Sequence, residues 1–430
     1  MIGNIAFGMF GLAVLISFAY AVSSNKKSID WKQIAAGVGL QIVFAIIVIL
    51  VPGGREFFDF ISRIFVKIID FAMSGAVFIF GDLAKASEFG FIFAFQVLPT
   101  IIFLASLMAV LYHIGLMQKI VQGMAWVMLK VLRVSGSESL SVAANVFIGQ
   151  TEAPLVVRPY IAKMTESELF TMMVGGMATI AGAVLAAYIA MLGGADEAQR
   201  LFYARHLLAA SVMAAPATIV IAKLLKPETE ESLTKGSVHL EVEKTGTNVI
   251  EAAANGAADG VKLSLNVGGM LLAFFALITM INYPLAWVGE VTGLETILGQ
   301  TLSLSLILGY ILSPLAWIIG IPWSEAVMVG GLIGEKIVIN EFVAYMHLSE
   351  LKNTLSEHSV LISTYALCGF ANFSSIAIQL GGIGGLAPNR RSDIARLGMR
   401  AVMGGTLATM MTATTSASTS SFTFSFAVSP

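Results

Sequence analysis

Eight stretches of this chain are apolar, nearly free of charge and about twenty residues long: 2–22, 33–51, 96–117, 167–192, 203–224, 262–288, 358–383 and 394–415. A helix needs roughly 20 such residues to cross a hydrocarbon core of ~30 Å, and a water-soluble globule has no use for eight of them. Composition agrees. Of 430 residues, 57% are hydrophobic and 12% charged, against about 25% charged in ordinary soluble chains. So little charge could not cover a solvated surface, whereas a lipid-facing surface needs none. The chain therefore reads as an all-α integral membrane protein. No basic stretch precedes the first run, so despite the cleavage-like Ala19-Tyr20-Ala21 it is read as a retained span. A net charge of −2 gives no basic face for nucleic acid. The single cysteine, Cys368, excludes an internal disulfide and a thiolate metal cluster.

Four further runs, 55–88, 119–134, 136–163 and 293–352, are interrupted by Gly, Pro or charge and are expected to form interfacial helices or re-entrant hairpins. Irregular backbone survives at membrane depth only where protein or water shields it. Lysine and arginine set the orientation. With the N-terminus outside, 17 of the 25 basic residues fall on inner segments and 7 on outer ones, with Lys336 inside a candidate hairpin. The alternation predicts eight spans with both termini outside, 136–163 entering and leaving on the inner side, and 322–352 doing so on the outer side. The polar segment 225–260 reads as an inner soluble loop, and the Ser/Thr-rich 412–421 as poorly ordered.

Two stretches read alike. Ser137-Glu138, the run Asn145–Pro154 and the Gly/Ala-rich Gly175–Gly182 are echoed by Ser324-Glu325, Asn340–Tyr345 and Cys368–Ser375. Glu138 and Glu152 are 14 residues apart, Glu325 and Glu341 16; Glu152 precedes Thr179 by 27, Glu341 precedes Asn372 by 31. Each unit reads as span, amphipathic piece, hairpin with a buried Glu, interrupted span, span. Because the hairpins open to opposite sides, the units form an inverted repeat, the layout of many secondary transporters.

Glu152 and Glu341 stand in otherwise neutral runs, where a carboxylate at membrane depth costs about 2.5–3.5 kcal/mol on the mildest scale. Either they serve a site or they cap and bond neighbouring helices. Unwound carbonyls near Asn145 and Ile148, the hydroxyl of Thr151 and Thr179 on the interrupted span offer oxygen ligands, which a hard cation such as Na⁺ prefers; the alternative is ordinary helix–helix bonding by Thr and Asn. Gln150, Asn372 and Ser375 add donor–acceptor pairs. Together with the two carboxylates they would satisfy a solute bearing vicinal hydroxyls and an amide-edged ring. Phe370 either packs against that ring or belongs to the core. The five histidines have no metal-ligand spacing and read as structural.

Gly149-Gln150-Thr151-Glu152-Ala153-Pro154-Leu155, Gly334-Glu335-Lys336 leading to Asn340-Glu341-Phe342-Val343-Ala344-Tyr345, and Cys368-Gly369-Phe370-Ala371-Asn372 closely resemble the signatures of the concentrative nucleoside transporter family. The likeness runs from the first span to about residue 412 and implies a homotrimer, each protomer with eight spans plus two re-entrant hairpins, working as an elevator in the plasma (inner) membrane. In domain terms it implies scaffold segments 1–95, 96–134 and 261–321, a moving body of 135–225 and 322–415, a cytoplasmic loop 226–260 and a tail 416–430. By the same resemblance Gln150, Thr151, Glu152, Glu341, Phe370, Asn372 and Ser375 contact nucleoside. Na⁺ would be held by Asn145, the backbone of Ile148, Thr151, Thr179 and the backbone of Ile180. Thr179 stands where family members compared have Ser and keeps the hydroxyl. Gln-Thr-Glu, rather than Gln-Ser-Glu, resembles the Na⁺-coupled members.

The expected function is Na⁺/nucleoside symport, with uridine as the example substrate. Three other readings compete: H⁺ coupling through a buried Glu, an intramembrane hydrolase using Glu152 and Glu341 as acid and base, and a passive channel. Against the hydrolase, Ile79 precedes Gly81-Asp82 where an aspartyl-protease pattern needs Gly, and no His-Glu-x-x-His occurs.

Overall fold

Several of the Gly and Pro positions that interrupt the apolar runs lie at helix ends, Pro52, Gly136, Gly182 and Gly193 among them. The computed structural model describes residues 2–236 and 246–427, and every regular element among them is helical. His239 and Lys244, in the expected inner loop, and the last three residues of the tail lie outside the described residues. The principal helices are α1 (Ile2–Ala21), α2 (Trp31–Ile49), α3 (Pro52–Phe80), α4 (Leu98–His113), α5 (Leu116–Leu132), α6 (Gly136–Asn145), α7 (Glu166–Ala178) and α8 (Gly182–Gly193). They continue with α9 (Glu197–Leu225), α10 (Val249–Thr292), α11 (Leu304–Ile318), α12 (Trp323–Val338), α13 (Glu341–Leu351), α14 (Glu357–Leu367), α15 (Phe373–Leu386) and α16 (Arg391–Ala427).

The repeat units are laid out as the sequence predicts. In the first, α4 and the amphipathic α5 lead to hairpin 1, formed by α6, a turn, the 3₁₀ segment Ala153–Val157 and the short Arg158–Ile161 helix. The broken pair α7/α8 and then α9 follow. In the second, α10 and α11 lead to hairpin 2, made of α12 and α13, then the broken pair α14/α15 and α16. α11 and α12 meet at a 115° bend.

The repeats are also anchored alike. α6 and α7 both begin with capping boxes, Ser135 with Glu138 and Thr165 with Glu168, which satisfy exposed amides at each start. Ser137 Oγ donates to Glu168 (3.1 Å), tying the foot of hairpin 1 to the start of its broken helix. In the second repeat Glu325 accepts from Ser356 Oγ (2.9 Å), and Ser356 is the N-cap of α14.

Glycine permits the closest helix contacts. A Cβ on Gly309 would lie 2.4 Å from Val327 O, and one on Gly330 2.6 Å from Gly309 O, so α11 and α12 touch backbone to backbone. Gly256 and Gly260, one turn apart on α10, approach α4 similarly, 2.8 Å from Ala105 O and 2.7 Å from Ile102 Cα. Such small-residue seams are how helices associate where lipid is as apolar as leucine.

Among the described residues six stretches have the length and apolar character to cross a membrane, the broken α7/α8 among them, and another is α3 with the turn after it, Pro52–Ala84. Most of the run 55–88 is thus one helix, ending at Phe80 and followed by a 3₁₀ turn over Gly81–Ala84, and not a hairpin. Its charges Arg55, Asp59, Arg63, Lys67 and Asp70 recur every three or four residues and form a stripe beside the buried Ser62, Val66, Ile69, Ala72 and Ala76. That pattern suits an amphipathic helix lying at the interface, held by Arg205–Asp59 and Arg200–Asp70 ion pairs, both 2.9 Å, to the start of α9. The eight crossings are then α1, α2, α4, α7/α8, α9, α10, α14/α15 and α16.

Two expectations are corrected. The Ser/Thr-rich segment is not loose: α16 runs on through Ala427, and Thr412, Thr414 and Thr415 are buried. Their hydroxyls donate to the carbonyls of Ala408 (3.0 Å), Met410 (2.8 Å) and Met411 (2.9 Å), one turn back, so the polar groups satisfy themselves within the helix. Nor is the inner loop simply a loop. Its first part folds onto hairpin 1 and the start of α7, with Thr234 O accepting from Gly136 N (2.9 Å) and Lys226 O from Ser167 Oγ (2.7 Å), and from Val249 onward it is already α10.

Burial separates the helices into two groups. Most residues of the Glu166–Gly193 and Glu197–Leu225 stretches are buried, whereas α10 buries only Ala252, Gly256, Gly260, Ser264, Ile278 and Gly289. Hairpins and broken helices sit with α9 and α16 at the centre, and α3, α4 and α10 wrap the outside.

Candidate functional site

The two helix breaks face each other. α7 ends at Ala178 and Thr179 turns extended, while α14 ends at Leu367 and the chain makes tight turns at Gly369 and Asn372, whose amides bond Leu367 O and Phe370 O, before Asn372 caps α15. Phe370 N donates to Thr179 O (3.3 Å), joining one break to the other. Asn372 is locally committed: its Oδ1 accepts from Ser375 N (2.9 Å) and Ser374 Oγ (2.7 Å). The cap therefore forces its Nδ2 outward, where it donates to Glu341 Oε2 (3.0 Å). Glu341 opens α13 and is buried; its other oxygen accepts from the hydroxyl of Tyr188 (3.1 Å) in α8. Tyr188 stacks on Tyr345 with ring centroids 4.1 Å apart and meets the edge of Phe342 at 4.8 Å, so aromatic rings wall one side of the carboxylate.

Hairpin 1 reaches the same place. Gln150 is buried at its tip and donates from Nε2 to Ser375 Oγ (3.0 Å); Ser375 in turn donates to Phe370 O (2.6 Å). Thr151 lies against α15, its Cγ2 3.1 Å from where a Cβ on Gly382 would stand. Gln150, Glu341, Phe370, Asn372 and Ser375 are thus gathered around the two breaks, with Phe370 half-buried, while Thr151 lies farther along α15.

Glu152 departs from expectation. It is exposed, and its carboxylate folds over Gly149, where a Cβ would lie 2.4 Å from Oε2. The tip turns tightly there, Glu152 N bonding Gly149 O (3.2 Å), and Pro154 follows, so the side chain projects from the tip. The expectation of two carboxylates in one dry pocket is corrected: Glu341 is enclosed and Glu152 is solvent-accessible.

The cation candidates lie at the base of the same tip. Asn145 Nδ2 donates to Ser141 O (2.9 Å), leaving its Oδ1 buried with no donor. Thr179 Oγ1 donates to Gly175 O (2.9 Å), and a Cβ on Gly175 would be 3.5 Å from Asn145 Nδ2, so both residues meet at that glycine. Ile148 is half-buried in the tip and Ile180 buried in the break of α7/α8. An orphaned amide oxygen among a hydroxyl and irregular carbonyls is a neutral all-oxygen set, which suits Na⁺ and not a transition metal. No cluster of three or more His, Cys, Asp or Glu that could hold a metal exists among the described residues.

Several participants were not read from the sequence. Tyr188 stands in an alanine-rich helix with no local flag. Gln379 and Lys336 are fully buried; Lys336 donates to Ala366 O and Thr409 Oγ1, both at 2.8 Å, tying hairpin 2 to the end of α14 and to α16. At the foot of hairpin 1, Lys223 and Glu138 form a buried ion pair at 2.5 Å.

Known proteins fit this geometry over nearly its whole length. Residues 10–83 match the model for the Na⁺ dependent nucleoside transporter N-terminus, 94–195 the nucleoside recognition model and 206–417 the Na⁺ dependent nucleoside transporter C-terminus. The chain is 46% identical to the uncharacterized transporter YutK of Bacillus subtilis, across 95% of this chain and 98% of that one. It is 41% identical to the nucleoside permease NupC of Helicobacter pylori, across 96% and 97%. The solved structure of a doubly substituted CNTnw in an outward-facing state superposes with a TM-score of 0.89 at 43% identity, covering 97% of this chain and 98% of that one. CNTnw in an inward-facing substrate-bound state gives 0.87. These neighbours are transporters, which removes the hydrolase reading. This multi-pass membrane protein belongs to the concentrative, Na⁺-dependent nucleoside transporter family.

Proposed function

We infer that the protein imports nucleosides, uridine among them, by symport with Na⁺. The observation that carries this reading is the hydrogen-bonded junction of both repeats: Gln150 on Ser375 at 3.0 Å, and Glu341 held by Tyr188 and Asn372. Glu341, together with the accessible Glu152, accepts the ribose hydroxyls; Gln150, Asn372 and Ser375 read the base edge; Thr151 lines the tip and Phe370 covers the ring. The partnerless Asn145 Oδ1, Thr151, Thr179 and the carbonyls of Ile148 and Ile180 bind the co-transported Na⁺. Since Asn145 and Gln150 belong to one hairpin, an ion at its base orders the tip that grips nucleoside, and each ligand raises the affinity of the other.

Hairpins, broken helices, α9 and α16 move together against α1–α5, α10 and α11. Bare outer helices such as α10 support a homotrimer sharing those faces, and the basic-residue asymmetry supports a plasma-membrane orientation with both termini outside. The test is uridine uptake into proteoliposomes at clamped pH. An inward Na⁺ gradient should drive accumulation, and choline should not. Uptake that follows an imposed pH gradient and ignores Na⁺ would overturn the coupling ion, and unitary conductances in planar bilayers would overturn transport by alternating access.

A further inference from the structure

Gln379 lies on α15 with no exposed surface. Its Nε2 donates both to Met173 O of α7 (2.9 Å) and to Gln150 Oε1 at the tip of hairpin 1 (3.1 Å). Gln150 Nε2 donates onward to Ser375 Oγ (3.0 Å), whose single proton goes to Phe370 O (2.6 Å). The polarity of this chain is set from both ends. Backbone carbonyls only accept, so Gln379 must turn its NH₂ toward Met173, and Ser375 must aim its proton at residue 370. With that proton committed, Gln150 has to donate to Ser375. With the nitrogen of Gln379 facing it, Gln150 has to accept from there. Flipping the Gln150 amide would set donor against donor at one end and acceptor against acceptor at the other, in a buried place where an unmade bond is costly. Gly176 makes the room: a Cβ there would stand 2.8 Å from Gln150 Cβ and 2.9 Å from Gln379 Nε2.

We propose that Gln379 is a positioning residue for base recognition, locking the Gln150 amide so that one N–H and one carbonyl lone pair face a nucleobase edge in fixed order. The proposal rests on Gln150 being the base contact. A locked amide meets a lactam or amidine edge, such as positions 3 and 4 of a pyrimidine nucleoside, already oriented. A free amide first has to be ordered.

The test uses the full-length protein in proteoliposomes with Na⁺ saturating. Gln379→Met keeps the length of the side chain and removes its donors. The KM for uridine should rise about fivefold to tenfold, the effect of losing one ordering hydrogen bond, with kcat and Na⁺ half-saturation unchanged. The inhibition constant of the pyrimidin-2-one riboside, which has nothing at position 4 to pair, should stay within about twofold. Gly176→Ala, which pushes the two glutamines apart, should behave alike and carries the test alone if Gln379→Met does not reach the membrane. In a Gln150→Ala background Gln379→Met should add nothing. An unchanged uridine KM, an equal loss for both ligands, or a rise in Na⁺ half-saturation would each overturn the lock. If Gln150→Ala itself leaves the uridine KM untouched, the base-contact reading fails first; if that variant weakens uridine while Gln379→Met does not, only the lock fails.

Discussion

Glutamine at position 341 separates a sugar-binding role from a structural one, because the surroundings dictate how the amide must sit. Asn372 Oδ1 is committed to the start of α15, so its Nδ2 cannot turn away from residue 341. Glu341→Gln therefore has to present its oxygen to Asn372 and its NH₂ to Tyr188, whose hydroxyl can accept in place of donating. Both neighbours stay bonded, and the fold should survive with a loss within about 1 kcal/mol. What vanishes is the negative charge and one oxygen's remaining lone pairs, the features proposed to hold ribose. A hydrogen bond to a charged group contributes about 1.5–3 kcal/mol, so uridine affinity should fall roughly tenfold to a hundredfold. The assay is competition against labelled uridine uptake, comparing uridine with 2′,3′-dideoxyuridine. Wild-type protein should prefer uridine strongly, and the variant should lose most of that preference while its melting temperature in detergent stays close. Retained discrimination between the two ligands would refute the assignment of Glu341 to the sugar.

Further expectations test the ion, the tip and the scaffolding separately. Asn145→Leu, which removes the partnerless oxygen, should leave uridine uptake insensitive to a Na⁺-for-choline exchange; a wild-type Na⁺ response would remove Asn145 from the ion site. Glu152→Gln should weaken uridine less than Glu341→Gln, since an accessible carboxylate competes with water; the opposite order in the same competition assay would put the principal sugar acceptor on hairpin 1. Lys223→Met strands the buried Glu138 and should destabilise by about 3–5 kcal/mol, while the Lys223→Met/Glu138→Leu pair should recover most of it; equal melting of single and double variants would show the pair to be uncoupled. Gly330→Leu drives a side chain into the Gly309 backbone and should cost at least about 1–3 kcal/mol, seen as a lower melting temperature; an unchanged one would mean that α11 and α12 part easily.

How much of this could be read from the sequence depended on whether the deciding contact was local. The breaks at 179–181 and 368–372, the hairpins and the caps follow from neighbouring Gly, Asn, Ser and Thr, and the structure keeps them. The charge of α3 was read as interruption because its stripe becomes visible only when residues 55–70 are wound as one helix. The Ser/Thr segment of α16 was read as loose because composition does not reveal that each hydroxyl finds a carbonyl one turn back. Tyr188 was invisible for another reason: its partner Glu341 is 153 residues away, and nothing near a tyrosine among alanines announces such a meeting. Glu152 shows the converse limit. Its rarity in a neutral run flagged it correctly as unusual, but exposure depends on the turn at Gly149, which composition does not specify.

The inverted repeat gives a physical reason why the proposed ion and nucleoside sites can share so small a region. Each repeat contributes one hairpin tip and one helix break, and a break exposes backbone groups that an intact helix would consume. In the first repeat those groups surround Asn145 and Thr179, neutral oxygens fit for a cation. In the second they surround Asn372 and Glu341, a donor and a charged acceptor fit for a polar organic solute. The Phe370 N to Thr179 O bond fastens the two breaks together, and the Gln150 to Ser375 bond closes the tip across them. On the proposed assignment, a cation drawing on the carbonyls of the first break would pull on the backbone that Phe370 reads, and ion and nucleoside would be linked through two hydrogen bonds. On that argument, weakening the tip contact, as in Ser375→Ala, should reduce the factor by which Na⁺ improves uridine affinity more than losing the Ser375 base contact reduces uridine affinity at saturating Na⁺. An unchanged Na⁺ enhancement in Ser375→Ala would show that coupling travels by another route.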